Sequence, residues 1–459
     1  MTDSTSSARK RPAPTEDLTR SVTGRLLFFY VLGDVLGSGI YALIGIMAFE
    51  VGGAFWLSFV VGVTIALMTG FAYAELITKY PQAAGASLYV HKAFGKRPVT
   101  FIVTFSLLAA TISAAGALSL TFGGEYFEAF IEDVPPTLVA VVFIVLLSLL
   151  NFRGISESVW ANLVMTLIES AGLLIILIIG AVVLGKGDAD LSQPFELNDG
   201  NPALVVLGGA AIAFFAMTGF ENAANLAEET RNPSKVFPKA LLGGMALAGA
   251  LYLLIAFIAS MVAPIKDLAA DEGEGGNLLT VVEAGPIAIP AIVFSGIALI
   301  AVTNTTLASL VAQSRIMYGM ARQGVMPRIF ARTHATRRTP WVSILFTAML
   351  VIILLITTDI GTLADVTVLF LITVYGMVCL SALVLRRQPV KHDHYTAPTW
   401  ILVLGIASNI ALLVYTAVEK PDSLIYCAVL LAIGGALYFV NDYFTKGDPP
   451  PLDESALEV

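Results

Sequence analysis

The chain has 459 residues, of which 57% are apolar and only 13% charged, with a mean hydropathy of +0.83. That balance excludes an ordinary water-soluble domain and places the chain among integral membrane proteins. The net charge of −8 carries no message about partners, because the two signs are segregated along the chain, and no nucleic-acid partner is expected.

Residues 1–25 are rich in Ser, Thr, Pro and basic residues. They have no short apolar core followed by a small-residue cleavage site, so they read as a disordered cytoplasmic tail and not a signal peptide. Apolar runs long enough to span follow at 26–48, 54–78, 98–121, 136–152, 158–184, 203–226, 237–263, 289–320, 340–357, 363–386, 398–418 and 422–443, about twelve in all. Between the second and third, "AAGASLYVHKAFG" at 83–95 is amphipathic and too short to span, which predicts an interfacial helix. A basic loop at 324–338 predicts a similar short element. The stretch 444–459 turns Pro-rich and then acidic, and reads as a second disordered tail. Cys379 and Cys427 lie in separate apolar runs, and His91, His334, His392 and His394 lie in or beside loops. No disulfide framework, metal site or cofactor is expected.

Orientation follows from Lys and Arg. Of the 26, roughly 23 fall in the termini and the even-numbered connections, leaving Lys186, Lys266 and Lys420 on the other side. Both termini are therefore expected in the cytoplasm, with the protein a multi-pass component of the cell membrane.

Two of the spans are interrupted. "GDVLGSGIY", Gly33 to Tyr41, breaks the first, and "FFAMTGFENAAN", Phe214 to Asn225, breaks the sixth. Unpaired backbone groups at bilayer depth cost several kcal/mol each, so such breaks persist only where protein or a water-filled cavity covers them. Glycine tolerates the unusual backbone, and the second half-helix, from about Ile40, would present free N–H groups and a positive dipole end to a carboxylate. Small residues also serve simple helix packing. Two breaks in corresponding positions point further, to a transporter substrate site at the midplane between inverted repeats. The repeats would cover about 26–184 and 203–387, with helices 11 and 12 (398–443) appended.

Acids inside spans are costly and default to functional candidates. Asp34, before the first break, can bind a cation or carry a proton, or simply cap and hold water. Glu221, after the second, can couple protonation to movement or merely hold the broken helix together. Glu169, midway along the fifth span, is a proton-carrier candidate or an internal hydrogen-bond partner. Glu75, at a helix end, reads more simply as a capping or ion-paired acid. Phe214, Phe215 and Phe220 flank the second break, and Phe215 is singled out as the one facing it. In the eighth span Thr305, Thr306 and Ser309 offer hard oxygen ligands for Na⁺ beside the first break, although Ser and Thr often bond back to their own helix.

Taken together, "GDVLGSGIYALIG", "FAYAELITKYPQAAGASLYVHKAFG", "FFAMTGFENAANLAEETRNPSKVFPKAL" and "SRIMYGMARQGVMPRIFARTHATRRTP" resemble the amino acid–polyamine–organocation transporter family, from about Leu26 to Arg387. The resemblance implies an all-α LeuT-type fold of 5+5 inverted repeats with broken helices 1 and 6 plus two extra helices. It implies amino acid or amine substrates. Ser38, Gly39 and Ile40 would give N–H groups to the carboxylate. Carbonyls around Val35, Phe215, Ala216 and Thr218 would take the amino group. Phe215 stands at an aromatic gate, and Glu221 matches an acid used in pH response. Three features depart from the family pattern. The fifth span, "LIESAGLL", has Glu169 and no Lys; Asp34 is an unusual residue before "GSG"; and Ala83-Ala84-Gly85 replaces adjacent glycines.

The function expected is a secondary active transporter of amino acids working by alternating access, with H⁺ as coupling ion and Na⁺ as the alternative. A polyamine or cationic amine carrier, an exchanger, and a non-transporting amino-acid sensor are the rivals. No nucleophile–base pair or phosphate loop suggests an enzyme.

Overall fold

The computed structural model describes residues 22–81, 85–154, 159–227, 229–269, 278–337 and 339–444. Residues 1–21 and 445–459, within the two expected tails, and Ala83 and Ala84 lie outside that set. The first pass is α1 (Gly24–Leu36) followed by α2 (Gly39–Val51); the second is α3 (Trp56–Lys79). The short α4 (Ala86–Phe94) leads into α5 (Arg97–Gly123), the one-turn α6 (Glu125–Glu128), α7 (Pro136–Arg153) and α8 (Val159–Lys186). The sixth pass is α9 (Pro202–Ala216) and a tighter 3₁₀ stretch at Phe220–Leu226; α10 (Pro233–Val262) is the seventh. Two short elements, α11 (Ile265–Leu268) and α12 (Leu278–Ala284), precede α13 (Ala291–Arg322). The chain continues through α14 (Trp341–Thr357), α15 (Ile360–Leu385), α16 (Thr399–Glu419) and α17 (Pro421–Phe444). Among the described residues eleven of these passes are long and apolar enough to cross a membrane, and α14 is a shorter apolar twelfth.

Helix starts follow local chemistry. Side-chain oxygens of Thr23, Asn201 and Asp359 accept from the N–H groups of Leu26, Ala203 and Thr362, which would otherwise be orphaned. Pro136, Pro202, Pro233 and Pro421 each open a helix, where a missing N–H loses nothing.

The core sits where α5 packs against α15 and α13, and where α3 packs against α10 and α9. α1 lies between α10 and α8, and α2 against α9. The outermost helices show apolar stripes instead of polar ones: Leu138, Val142, Val145 and Leu149 on α7, and Leu345, Met349 and Ile353 on α14, are all exposed. Spacing of three and four residues puts each set on one face, which is stable out of water, against lipid or another apolar surface.

At the end of the bundle where α1 begins, a bidentate pair ties the second and tenth passes. Arg386 Nε and Nη2 donate to Glu75 Oε1 and Oε2 at 2.8 and 2.7 Å, and the Ala397 N–H donates to Oε2 at 2.8 Å. The Glu75 hydrogen bonds hold the Arg386 guanidinium above its ordinary basicity. The reading of Glu75 as an ion-paired helix-end acid therefore holds.

Two elements differ from expectation. α4 is more than an interfacial helix. Ala86 to Val90 are buried, and the Thr104 hydroxyl on α5 donates to Ser87 Oγ at 2.9 Å, so α4 is part of the packed bundle. α12 was not foreseen at all. Its Leu278, Leu279, Val281 and Val282 are buried against α8 and α13, covering the opposite end. In the basic loop at 324–338 the helical part is a single turn, Arg328–Ala331.

Candidate substrate site

The first break is two residues wide. α1 stops at Leu36, Gly37 takes φ −40° and ψ −155°, and α2 resumes at Gly39. A hydroxyl from α13 reaches into the gap: the Ser38 N–H donates to Thr305 Oγ1 at 3.2 Å. The first turn of α2, Gly39 to Tyr41, has no carbonyl of its own helix to bond. The Ser38 hydroxyl is buried and makes no hydrogen bond. Neighbouring tyrosines brace both sides. The Tyr252 hydroxyl donates to Val35 O, the Tyr41 hydroxyl to Glu169 O at 2.7 Å, and the Tyr126 hydroxyl to Tyr41 O at 2.9 Å.

The second break is wider. After Ala216 the chain turns through Met217, Thr218 and Gly219, and continues only as the 3₁₀ stretch. The Thr218 N–H and hydroxyl both donate to Phe215 O, at 3.0 and 2.7 Å. Glu221 reaches back so that the Gly219 N–H donates to its Oε2 at 2.9 Å. Tyr73 and Tyr375 flank that carboxylate.

The two breaks touch. A Cβ on Gly39 would stand 2.7 Å from Ala216 Cα, so only glycine allows the start of α2 to meet the end of α9. Gly219 has φ +109°, and a Cβ there would stand 2.5 Å from Asp34 O.

A cavity of about 330 Å³ opens beside this contact. Asp34, Val35, Ser38, Gly39, Phe215, Ala216, Thr218 and Glu221 all contribute to its wall, as do Thr305 and Ser309. Three expected residues do not. Ile40 is fully buried behind the break, Thr306 faces away with its hydroxyl on Val302 O, and Glu169 lies deeper, between α8 and α13. Arg315 and Asn225, both exposed, mark the mouth, which lies toward the end where α1 begins.

The hydroxyls proposed as Na⁺ ligands are each engaged within their helix. Thr305, Thr306 and Ser309 donate to the carbonyls of Ala301, Val302 and Thr305 at 3.3, 2.7 and 3.0 Å. Among the described residues no group of three or more His, Cys, Asp and Glu side chains is placed to hold a metal ion.

A family model for amino acid permeases matches residues 26–436 of the chain. The chain belongs to the amino acid permease family. This permease is 25% identical to a methylthioribose transporter of Bacillus subtilis, over 94% of its own length and 97% of the relative's. It is 24% identical to a branched-chain amino acid permease of the same organism, over 89% and 90%. It is 29% identical to a low-affinity putrescine importer of Escherichia coli, over 61% and 62%. The permease is thus a membrane transporter, and its broken helices and cavity are features of a transporter.

Several functional neighbours were invisible to sequence reasoning. The Asn304 amide donates to Glu169 Oε1 at 3.3 Å, and Glu169 Oε2 is buried without a hydrogen bond. Ser87, Thr104 and Thr111 line the permease cavity from α4 and α5. The signal for the α5 residues was present as a face at 104, 107, 111, 114 and 118, but nothing in one sequence says which face of a buried helix meets a cavity.

Proposed function

We propose that the permease is a secondary active transporter that carries amino acids across the cell membrane by alternating access, coupled to protons. The observation that carries this reading is the meeting of two helix ends of opposite sign at one cavity. The start of α2 offers N–H groups and the positive end of its dipole, beside the unengaged Ser38 hydroxyl. The end of α9 and the end of α1 offer the negative poles, with Asp34 next to them. A helix end contributes about 0.3–1 kcal/mol to a charge when exposed and up to ~2 kcal/mol when partly buried. A zwitterion collects both contributions. Its carboxylate sits at the Ser38 hydroxyl and the Gly39 N–H, since Ile40 stands behind the break and the Ser38 N–H is held by Thr305, and its ammonium sits at the carbonyls of Ala216 and its neighbours, below the ring of Phe215.

The Val35 carbonyl already accepts one hydrogen bond, so it serves the ammonium through its second lone pair, whereas the Phe215 carbonyl takes both the Thr218 N–H and the Thr218 hydroxyl and leaves that role to Val35 and Ala216. Glu169 is the coupling residue favoured here. It is buried, bonded on one carboxyl oxygen only, and stands behind the first break, where its backbone carbonyl accepts from the Tyr41 hydroxyl. Glu221 latches the second break, and Asp34 lines the path. The arrangement is read as two inverted five-helix repeats, 26–184 and 203–387, with α16 and α17 outside them. Both termini are assigned to the cytoplasm from the Lys and Arg distribution, which makes the cavity mouth cytoplasmic.

A second reading, transport of cationic amines, is favoured by Asp34 and Glu221 in the cavity wall. It leaves the start of α2 without a ligand. Uptake of a labelled amino-acid mixture into proteoliposomes separates these, with an inward pH gradient, an inward Na⁺ gradient, or neither. Accumulation under the pH gradient alone is expected. Accumulation under Na⁺ alone would shift coupling to Thr305 and Ser309, and uptake of putrescine but of no amino acid would establish the amine carrier. Glu169→Gln is expected to abolish gradient-driven uptake while leaving amino-acid exchange intact; unchanged pH dependence in both Glu169→Gln and Asp34→Asn would remove proton coupling from these two acids.

A further inference from the structure

The midplane part of the cavity carries no charge. Where Thr367 on α15 approaches Ala110 O on α5, at 3.5 Å, these two helices contribute Ala110, Thr111, Ala114, Leu118, Thr367 and Leu371 to the wall. The two threonines look polar in sequence but are not so here. Thr111 donates its hydroxyl to Leu108 O and Thr367 to Leu363 O, both at 2.8 Å, so neither proton is free for a ligand.

The three charged residues of the wall all lie nearer the mouth. Asp34 precedes the break on α1. Glu221 sits beside Tyr375, eight residues or about 12 Å along α15 from Thr367. Arg315 is ten residues, about 15 Å, along α13 from the Thr305 hydroxyl that marks the break.

We propose that this end of the cavity is the side-chain subsite and that it selects neutral amino acids with aliphatic side chains. This rests on the reading that the helix ends hold the backbone carboxylate and ammonium. With those two groups fixed, the side chain points to α5 and α15. A lysine ammonium or arginine guanidinium there is buried without a counter-charge. An asparagine or serine side chain finds acceptors but no free donor, and leaves its own polar atoms unmatched. An aliphatic side chain replaces water against Ala110, Ala114 and Leu118, and each methylene that fits is worth about 10-fold or more in discrimination.

The test is uptake into proteoliposomes of labelled leucine, asparagine, lysine and putrescine, each measured separately, with the full chain. Leucine uptake is expected at an efficiency at least 10-fold above asparagine and lysine. Lysine or asparagine carried as well as leucine overturns the aliphatic subsite while leaving amino-acid transport standing. No uptake of any amino acid overturns both. Ala114→Phe then locates the subsite: the efficiency of leucine uptake relative to alanine uptake is expected to fall at least 10-fold. That ratio unchanged in Ala114→Phe removes the side chain from α5, and this outcome is read only on protein that elutes as the parent does by size exclusion.

Discussion

The two breaks are built differently although both interrupt a membrane helix with glycine. The first is narrow and braced on every side. Helix resumes after two residues, Ser38 is held by Thr305, the Tyr252 and Tyr126 hydroxyls fix the Val35 and Tyr41 carbonyls, and the Tyr41 hydroxyl ties α2 to α8. The second loses three residues to a turn and never recovers full helical geometry. Its main tether is a single side chain, Glu221, on its own Gly219 N–H. Backbone groups at depth must be satisfied in both cases. In the first the satisfaction comes from three other elements, α13, α10 and α6, and in the second from within the segment itself. A segment that satisfies itself can shift against the bundle without stranding donors, whereas a braced one is a fixed platform. Under the proposed function, substrate anchoring falls to the first break and movement to the second.

The largest effect is expected where the two breaks meet. Gly39→Val places branched carbons where Ala216 Cα already stands, and overpacking of that kind costs about 1–3 kcal/mol. Uptake should vanish while the variant still inserts and elutes normally; retained uptake would show that the contact does not persist in the working protein. Next comes Gly219→Ala. Its φ of +109° and the proximity of Asp34 O strain any side chain, by about 1–3 kcal/mol, so a drop in uptake of roughly 10-fold or more is expected. Glu221→Ala should follow. It leaves the Gly219 N–H without its acceptor, and uptake should slow several-fold with KM little changed, because the moving segment and not the anchor is damaged. Glu221→Gln keeps an acceptor oxygen, so recovery in this variant separates the tether from the charge. A rise in KM alone for Glu221→Ala would place Glu221 with the anchor and undo the division. The smallest effect is Thr305→Val, which deletes one acceptor from the braced platform. It should lower thermal stability by about 1 kcal/mol, the value of one hydrogen bond, with the remaining braces intact.

The spans were legible because an apolar run of about 20 residues has few alternatives, and the observed limits fall within a few residues of those expected. The breaks were legible because glycine clusters have no purpose in a lipid-facing helix. What escaped was rotation. Thr305 and Thr306 are neighbours in sequence, yet one reaches Ser38 and the other turns into its own helix. Glu169 read as a proton carrier or an internal hydrogen-bond partner, and nothing in the sequence said that α8 would point it at Asn304. The α12 helix was hidden in a long connection because "NLLTVVEAG" is too short to register as apolar structure. Its pattern of Leu278, Leu279, Val281 and Val282 does mark one buried helical face. Burial of α4 was missed for a related reason: an amphipathic nine-residue helix has the same pattern on a membrane surface as on a bundle.

One helix also makes a demand on its surroundings. The 17 residues of α14 rise only about 25 Å, while the hydrocarbon core of a typical bilayer is about 30 Å thick. Trp341 opens this helix 41% exposed, at the level where an indole anchors to the headgroup layer. Thinning of the lipid beside α14 or the reach of its flanking residues has to take up the difference, and hydrophobic mismatch of this kind costs fractions of a kcal/mol per ångström. Acyl-chain length beside this one helix is therefore a variable of the protein's energetics.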